Sequence, residues 1–209
     1  MYYPAIYFLG IQQILKVQLK LDYLQSNSDS STIRITLEDL MPTVTRKINV
    51  SCSLAEAWEV LSDFGEISIW ATNVSHSCLL SHHQEGLGAT RRIQTGNSSV
   101  TEHVRRWEEI RHLSYEIRGL PPVFKQVLNT WLLEPSEIGV QLSLQIEIIP
   151  IRRPVTPIAG LACLVFGRIN AGMLKDIKKF IEDVMPLVKL EDQISLLEQK
   201  IVELESQNE

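Results

Sequence analysis

The feature that most constrains the fold is a strict alternation of apolar and polar residues in VQLSLQIEI, residues 140–148. A β-strand places successive side chains on opposite faces of its sheet. The segment therefore predicts a strand with one face in water and the other covered by a second element. The apolar face carries Val140, Leu142, Leu144, Ile146 and Ile148.

A long helical pattern after Pro157 supplies the cover. Its apolar stripe is formed by Phe166, Ile169, Met173, Ile177, Phe180 and Val184. These residues recur at the spacing of one face of an α-helix. The uncharged part, 154–167, is shorter than the roughly 20 residues that span a bilayer. We therefore interpret it as part of a core helix.

Strand-like runs precede this helix and are separated by short, turn-rich segments. They cover residues 44–50, 73–80, 88–94, 100–109, 112–118, 125–134 and 140–149. Short connections favour antiparallel pairing, because parallel neighbours need long crossovers. Two small helices are predicted between the first two runs. The sequence thus predicts an α+β domain in which a curved antiparallel sheet wraps around a long C-terminal helix.

The triplet Asp63-Phe64-Gly65 matches the magnesium-binding DFG of protein kinases. A kinase also needs a glycine-rich loop, a strand lysine and an HRD-type loop before its DFG, and none precedes residue 63. Ser53 and Glu56 form a capping-box pattern that opens a short helix. We interpret the triplet as the end of that helix, with Gly65 at positive φ.

Charge and cysteine usage narrow the classes of function. The formal net charge is −5, and residues 187–209 hold two lysines against six acids. The rest of the chain is near neutral, so no nucleic-acid partner is predicted. Cys52, Cys78 and Cys163 form no CxxC, which argues against disulfides and zinc. We expect a cytoplasmic protein with no metal and no cofactor.

Three regions follow from the patterning. Residues 26–32, SNSDSST, are a polar linker, and regular patterning begins at Met41. We predict an N-terminal extension at 1–40, a folded domain at 41–185 and a tail at 186–209. The first 15 residues are uncharged and rich in Ile, Leu and Tyr, which leaves weak contact with a membrane surface open.

The element order resembles the polyketide cyclase/dehydrase and lipid-transport branch of the START-like (SRPBCC) superfamily. The motifs are AEAWEVLSDFGEISIW (55–70), GLGATRRI (86–93), TEHVRRWEE (101–109), LSYEI (113–117) and PSEIGVQLSLQIEIIP (135–150). The resemblance covers residues 44–184. It implies the helix-grip fold, in which a curved sheet and the C-terminal helix enclose a large apolar cavity. Family members bind or transform lipids, polyketides, hormones and similar ligands.

The plant abscisic-acid receptors resemble the chain more distantly. His76 in HSC (76–78) matches the position of their ligand-pairing lysine, and Glu102 in TEHV (101–104) matches a pocket glutamate. RGLPP (118–122) resembles their gate sequence but lies one strand pair too late. A hormone-receptor function is therefore not implied.

Strand alternation selects four candidate ligand-binding residues: His76, Arg91, Glu102 and Tyr115. Each shares its predicted strand face with apolar neighbours, as His76 does with Val74 and Cys78. A mostly apolar pocket with a few converging polar groups is the usual form of a ligand site. The alternatives are a structural ion pair between Arg91 and Glu102, a satisfied interior histidine and a core tyrosine.

Three functions fit these residues. The first is a non-catalytic binder or carrier of a hydrophobic small molecule, such as a lipid or polyketide. The second is a polyketide cyclase- or dehydratase-like enzyme, in which His76 or Glu102 moves a proton while Arg91 or Tyr115 stabilises an enolate. The third is an interaction module that uses the tail.

The tail carries a heptad pattern of apolar residues. Its members are Leu187, Leu190, Ile194, Leu197, Ile201 and Leu204, which we call the seam. Their 3,4,3,4,3 spacing is that of a and d positions in a coiled coil. A parallel homodimer would place Lys200 opposite Glu205 of its partner. The alternative is a solvated helix folded back on its own domain.

Overall fold

The computed structural model describes residues 42–207. Seven strands form one sheet: β1 (Thr43–Val50), β2 (His76–Leu79), β3 (Thr90–Thr95), β4 (Ser98–Glu108), β5 (His112–Arg118), β6 (Phe124–Ser136) and β7 (Gly139–Pro150). Their order in the sheet is β1-β7-β6-β5-β4-β3-β2. All neighbouring pairs are antiparallel. Each predicted strand is present, with ends shifted by up to three residues.

Helices lie at two places in the chain order. Between β1 and β2 come α1 (Leu54–Ser62), a 3-10 turn (Phe64–Glu66) and α2 (Ile67–Trp70). After β7 come a 3-10 turn (Arg153–Val155), α3 (Thr156–Lys179), a π-helical turn (Phe180–Val184) and α4 (Met185–Gln207). The predicted α+β architecture, a curved antiparallel sheet with a long C-terminal helix, is confirmed. The predicted extension 1–40 lies outside the described residues.

The capping box that opens α1 is present, but the prediction for Gly65 is wrong. The Ser53 hydroxyl accepts from the Glu56 amide at 3.2 Å, and the Glu56 carboxylate accepts from the Ser53 amide at 3.0 Å. Gly65 lies in the 3-10 turn and is not among the positive-φ glycines. A Cβ there would meet the Leu79 side chain at 3.1 Å. Close packing, not a left-handed backbone, explains why glycine fits.

The buried face of α3 shares Met173 and Ile177 with the predicted stripe but is otherwise rotated from it. It consists of Ala159, Cys163, Gly167, Asn170, Met173, Leu174 and Ile177. Phe166 lies half-buried beside the sheet, and Val184 is 39% exposed. The reason is close approach: a Cβ on Gly167 would lie 2.7 Å from Cγ1 of Val44. Gly167 therefore faces β1 at this point, and Phe166 packs beside the contact.

The long helix passes a simple test for a membrane span. By length and composition alone, Thr156–Lys200 could cross a bilayer, although only 33% of its most apolar stretch is buried. The core helix of a soluble protein passes the same test, and α3 packs on β1 and β7. The predicted contact of residues 1–15 with a membrane surface concerns residues outside the described part of the chain and stays a prediction.

The tail continues from α3 without a break in helical backbone. Pro186 has no amide hydrogen to donate to the preceding turn. The chain accommodates it with the π-helical turn, in which the Met185 amide donates to the Phe180 carbonyl, five residues back. The proline therefore neither ends the helix nor separates the tail from α3.

Candidate functional site

Three of the four predicted site residues meet on the inner face of the sheet. Arg91 on β3 and Glu102 on β4 are register partners, and Tyr115 lies on β5. Arg91 and Glu102 are each 3% exposed and Tyr115 is fully buried. Strand alternation correctly predicted that these three side chains point inward.

The Arg91 guanidinium is held by two partners. Its Nε donates to Oε2 of Glu102 at 2.7 Å, and its Nη2 lies 2.6 Å from the same oxygen. Its Nη1 donates to the carbonyl oxygen of Phe64 at 2.5 Å. The guanidinium carbon also lies 3.9 Å from the Phe64 ring centroid and 5.4 Å from that of Tyr115. A buried charge is costly unless paired, and here all three guanidinium nitrogens have partners.

A second set of polar groups crosses the interior beside this pair. We call Tyr115, Asn129, Trp131 and Asn170 the interior polar chain. The Asn170 amide on α3 donates to Oδ1 of Asn129 on β6 at 3.2 Å. The Tyr115 hydroxyl accepts from Asn129 Nδ2 at 3.5 Å and from Trp131 Nε1 at 3.4 Å. All four residues are at most 4% exposed, and the hydrogen bonds to the hydroxyl are long and therefore weak.

The Tyr115 hydroxyl is protonated at neutral pH. Burial, reinforced by the negative charge of Glu102, raises the pKa of Tyr115 to about 12. The hydroxyl therefore keeps its proton for donation. Because it already accepts from Asn129 and Trp131, the role it can offer a ligand is that of donor to a neutral oxygen or nitrogen.

The predicted inward orientation of His76 is wrong. His76 begins β2, and its side chain is exposed, as is that of Cys78. Ser77 and Leu79 are the partly buried residues of this strand. The prediction counted from Val74, but Val74 lies in a turn, where its amide donates to the Ala71 carbonyl at 2.9 Å. Alternation does not continue through a turn, so the prediction assigned His76 and Cys78 to the inner face of the strand although they lie on the outer face.

Sequence reasoning missed Asn129 and Asn170. Asn129 alternates with buried Val127 and Trp131 on β6. Asn170 lies on the inner face of α3, four residues before Leu174. The available signal was a polar residue on an otherwise apolar face, and an asparagine amide, being neither titratable nor aromatic, gives only this weak signal.

Metal-binding groups do not gather in the described part of the chain. Among residues 42–207, no group of three or more His, Cys, Asp and Glu could hold an ion. His82 and His83 are exposed in the segment between β2 and β3. The interior instead offers a hydroxyl, an indole and two amides, which suit a neutral organic ligand.

Aromatic side chains fill the space between the two small helices and the sheet. Trp58 on α1 meets Trp107 on β4 edge to face, with ring centroids 5.1 Å apart. Trp70 on α2 meets Trp131 on β6 in the same way at 6.1 Å. Two pockets described in residues 42–207 lie at the surface. One of about 450 Å³ is lined by Cys52, Glu56, Met185 and Lys189, and one of about 190 Å³ lies along 116–127.

An antiparallel sheet closed by a C-terminal helix, with polar groups buried on its inner face, defines a helix-grip protein. The family model for polyketide cyclase / dehydrase and lipid transport matches residues 41–182. The chain belongs to this family. The resemblance noted from its motifs is thereby confirmed.

Solved structures support the same fold. The di-domain ARO/CYC StfQ from the steffimycin biosynthetic pathway aligns with a TM-score of 0.59 at 13% identity, over 70% of this chain and 52% of StfQ. This chain thus spans about half of StfQ. Ara h 8.0201 aligns with a TM-score of 0.55 at 13% identity, over 68% of this chain and 97% of its own. A protein from Nitrosospira multiformis aligns with a TM-score of 0.56 at 16% identity, over 68% of this chain and 97% of that protein.

At such identities the likeness extends to fold alone. Comparison with curated protein sequences gives no significant match. The ligand and the activity must therefore be argued from this chain's own interior.

Proposed function

We propose that the protein binds and carries a hydrophobic small molecule between the sheet and α3, and that the interior polar chain receives the ligand's polar group. The observation that carries this proposal is the placement of Tyr115, Asn129 and Asn170 in an apolar interior, joined by hydrogen bonds of 3.2–3.5 Å. Burying polar groups costs free energy, which good hydrogen bonds must offset. The two bonds that the Tyr115 hydroxyl accepts are long, at 3.4–3.5 Å, and offset this cost incompletely. A ligand oxygen that accepts from the hydroxyl would add a hydrogen bond at this place.

The ion pair between Arg91 and Glu102 has a supporting role. Because Glu102 already neutralises the Arg91 charge at 2.6–2.7 Å, a ligand carboxylate here would be buried beside the like charge of Glu102. The pair instead fixes the Phe64 turn beside Tyr115. The ligand class that fits is therefore a neutral molecule with a ketone or hydroxyl group, not an acid.

Entry of such a ligand requires the rim of the interior to open. Trp58 and Trp70 are each 8% exposed and belong to the two small helices. We place the entry here, because outward rotation of these rings frees the volume that they occupy against Trp107 and Trp131. Their displacement makes room without breaking the sheet.

Catalysis is less well supported than binding. The enzymatic hypothesis needed His76 or Glu102 to move a proton. His76 is exposed, Glu102 is held by Arg91, and Tyr115 keeps its proton at neutral pH. Turnover of a bound ligand would nevertheless revive the cyclase or dehydratase hypothesis.

The test is displacement of Nile red, a neutral hydrophobic fluorophore, from the full chain. Long-chain alcohols and methyl ketones should displace it more strongly than the fatty acid of equal length. Tyr115→Phe should weaken the alcohol about tenfold, as expected for the loss of about 1.4 kcal/mol. Ser143→Ala is the matched control, because it removes a buried hydroxyl without a hydrogen-bond partner. Equal behaviour of the two variants, or no binding of Nile red, would contradict the proposal.

A further inference from the structure

We propose that α4 pairs with the α4 of a second copy of this chain, as a parallel two-stranded coiled coil. The structure leaves the described part of the seam uncovered. Leu187 is 60% exposed, Leu190 53%, Ile194 48% and Leu197 60%. The side chains of Ile201 and Leu204 lie outside the described part, but their heptad positions continue the pattern.

Exposure on this scale argues against the tail folding back on its own domain. A helix docked on the domain would bury its apolar stripe, whereas these four seam side chains are all exposed. The stripe recurs every 3.5 residues on average, which matches a second helix wound around the first. An identical tail supplies that surface, since the same a and d residues face each other in a parallel pair.

The base of the tail is fixed to the domain. Met185 is buried at 9% exposure. The Lys189 ammonium lies 3.6 Å from a carboxylate oxygen of Glu56 and 3.4 Å from one of Glu59, both on α1. Because α4 also continues directly from α3, the seam projects from the domain in a defined direction. Two domains joined through it would therefore be held in a fixed relation.

Charges beside the seam favour a parallel pair over an antiparallel one. The e positions hold Glu191, Glu198 and Glu205, and the g positions hold Gln193, Lys200 and Gln207. In a parallel pair, g faces e of the partner, which gives Gln193 with Glu198 and Lys200 with Glu205. In an antiparallel pair, e would face e, and glutamates would repel one another. Only the parallel arrangement avoids like-charged contacts.

Sedimentation of the full chain tests the pairing. Over about 1–100 µM, the range in which a short coiled coil associates measurably, the mass should rise toward twice the 23.8 kDa of one chain. Ile194→Lys with Ile201→Lys should abolish the rise. Ser195→Lys with Gln199→Lys adds the same two charges at b and f positions, off the seam, and should leave the rise intact.

A charge exchange tests the orientation. Lys200→Glu places glutamate opposite Glu205 in a parallel pair and should raise the dissociation constant several-fold. Adding Glu205→Lys should restore it. The proposal would be overturned if the full chain stays monomeric at about 100 µM or forms a trimer. It would also be overturned if the off-seam control loses association as the seam variant does, or if adding Glu205→Lys fails to restore pairing. Circular dichroism of the seam variant checks that its domain is folded.

Discussion

Nη1 of Arg91 lies 2.5 Å from the carbonyl oxygen of Phe64, and the same guanidinium lies 3.9 Å from the Phe64 ring centroid. One residue of the turn after α1 thus meets the buried cation through both its backbone and its side chain. This contact explains the kinase-like triplet at 63–65: Phe64 anchors the turn to the sheet, and Gly65 lets Leu79 approach it. The triplet serves packing in this chain.

The buried ion pair should matter far more to stability than an exposed one. Glu102→Gln leaves the Arg91 charge buried without a counter-ion and should cost about 3–5 kcal/mol in the free energy of unfolding. Arg105→Ala breaks an ion pair with Glu116 in which the Arg105 side chain is 43% exposed, and should cost less than about 1 kcal/mol. Urea denaturation measures both. Similar costs would show that the Arg91 pair does not stabilise the domain.

The two asparagines of the interior polar chain should behave as one unit. Asn129→Leu removes the partner of Asn170 and one partner of Tyr115, and should cost about 1–3 kcal/mol. Asn170→Leu should cost a similar amount. The double variant should lose less than the sum, because the second substitution removes an amide that the first has already left unpaired. Strict additivity in urea denaturation would mean that the bond between them is not made.

Stability should fall as the pH drops below about 6.5. Burial, with Arg105 and Arg118 nearby, lowers the pKa of His103 from 6.5. Burial also lowers the pKa of His112, with Arg106 nearby. As the pH falls, these histidines therefore bind protons in the unfolded chain before they do so in the folded protein. The stability present above pH 6.5 is lost as the pH falls through the lowered pKa values of the folded state. His103→Gln should flatten the pH profile of the unfolding free energy. A profile unaltered by His103→Gln would contradict the assignment.

Substitution of two glycines with positive φ distinguishes the cost of backbone strain from the cost of a steric collision. Gly86 has φ +88° with open space where a Cβ would lie, so Gly86→Ala should cost about 1–2 kcal/mol. Gly139 has φ +133°, and a Cβ there would collide with the Val50 carbonyl and lie 2.9 Å from the Cys52 backbone. Gly139→Ala should therefore lower the melting temperature clearly more than Gly86→Ala. The reverse order would show that the β6–β7 turn can shift away from β1.

The strands were predictable because alternation is a local property. Runs such as 140–148 and 112–118 show it without reference to other parts of the chain. Arg91, Glu102 and Tyr115 were found in the same way. His76 was not placed correctly, because its strand begins after a turn that alternation cannot detect.

The helix face depended on tertiary packing. The hydrophobic pattern predicted that Phe166 contacts the sheet. In the structure Gly167 makes the closest contact, because the helix approaches Val44 too closely for a larger side chain. Asn129 and Asn170 meet only through the fold, since 41 residues separate them. Their pairing requires the sheet and helix to be assembled, and no local pattern encodes it.

The most direct test of the central claim is native mass spectrometry of the full chain purified from its own host, followed by identification of any released molecule. We predict a stoichiometric hydrophobic ligand bearing a ketone or hydroxyl group, one per chain. It should be retained in Ser143→Ala and depleted in a Tyr115→Phe, Asn129→Leu double variant that remains folded by circular dichroism. The account would be contradicted if the host-purified protein shows only the mass of the chain without a ligand, and if incubation with long-chain alcohols and ketones leaves that mass unchanged.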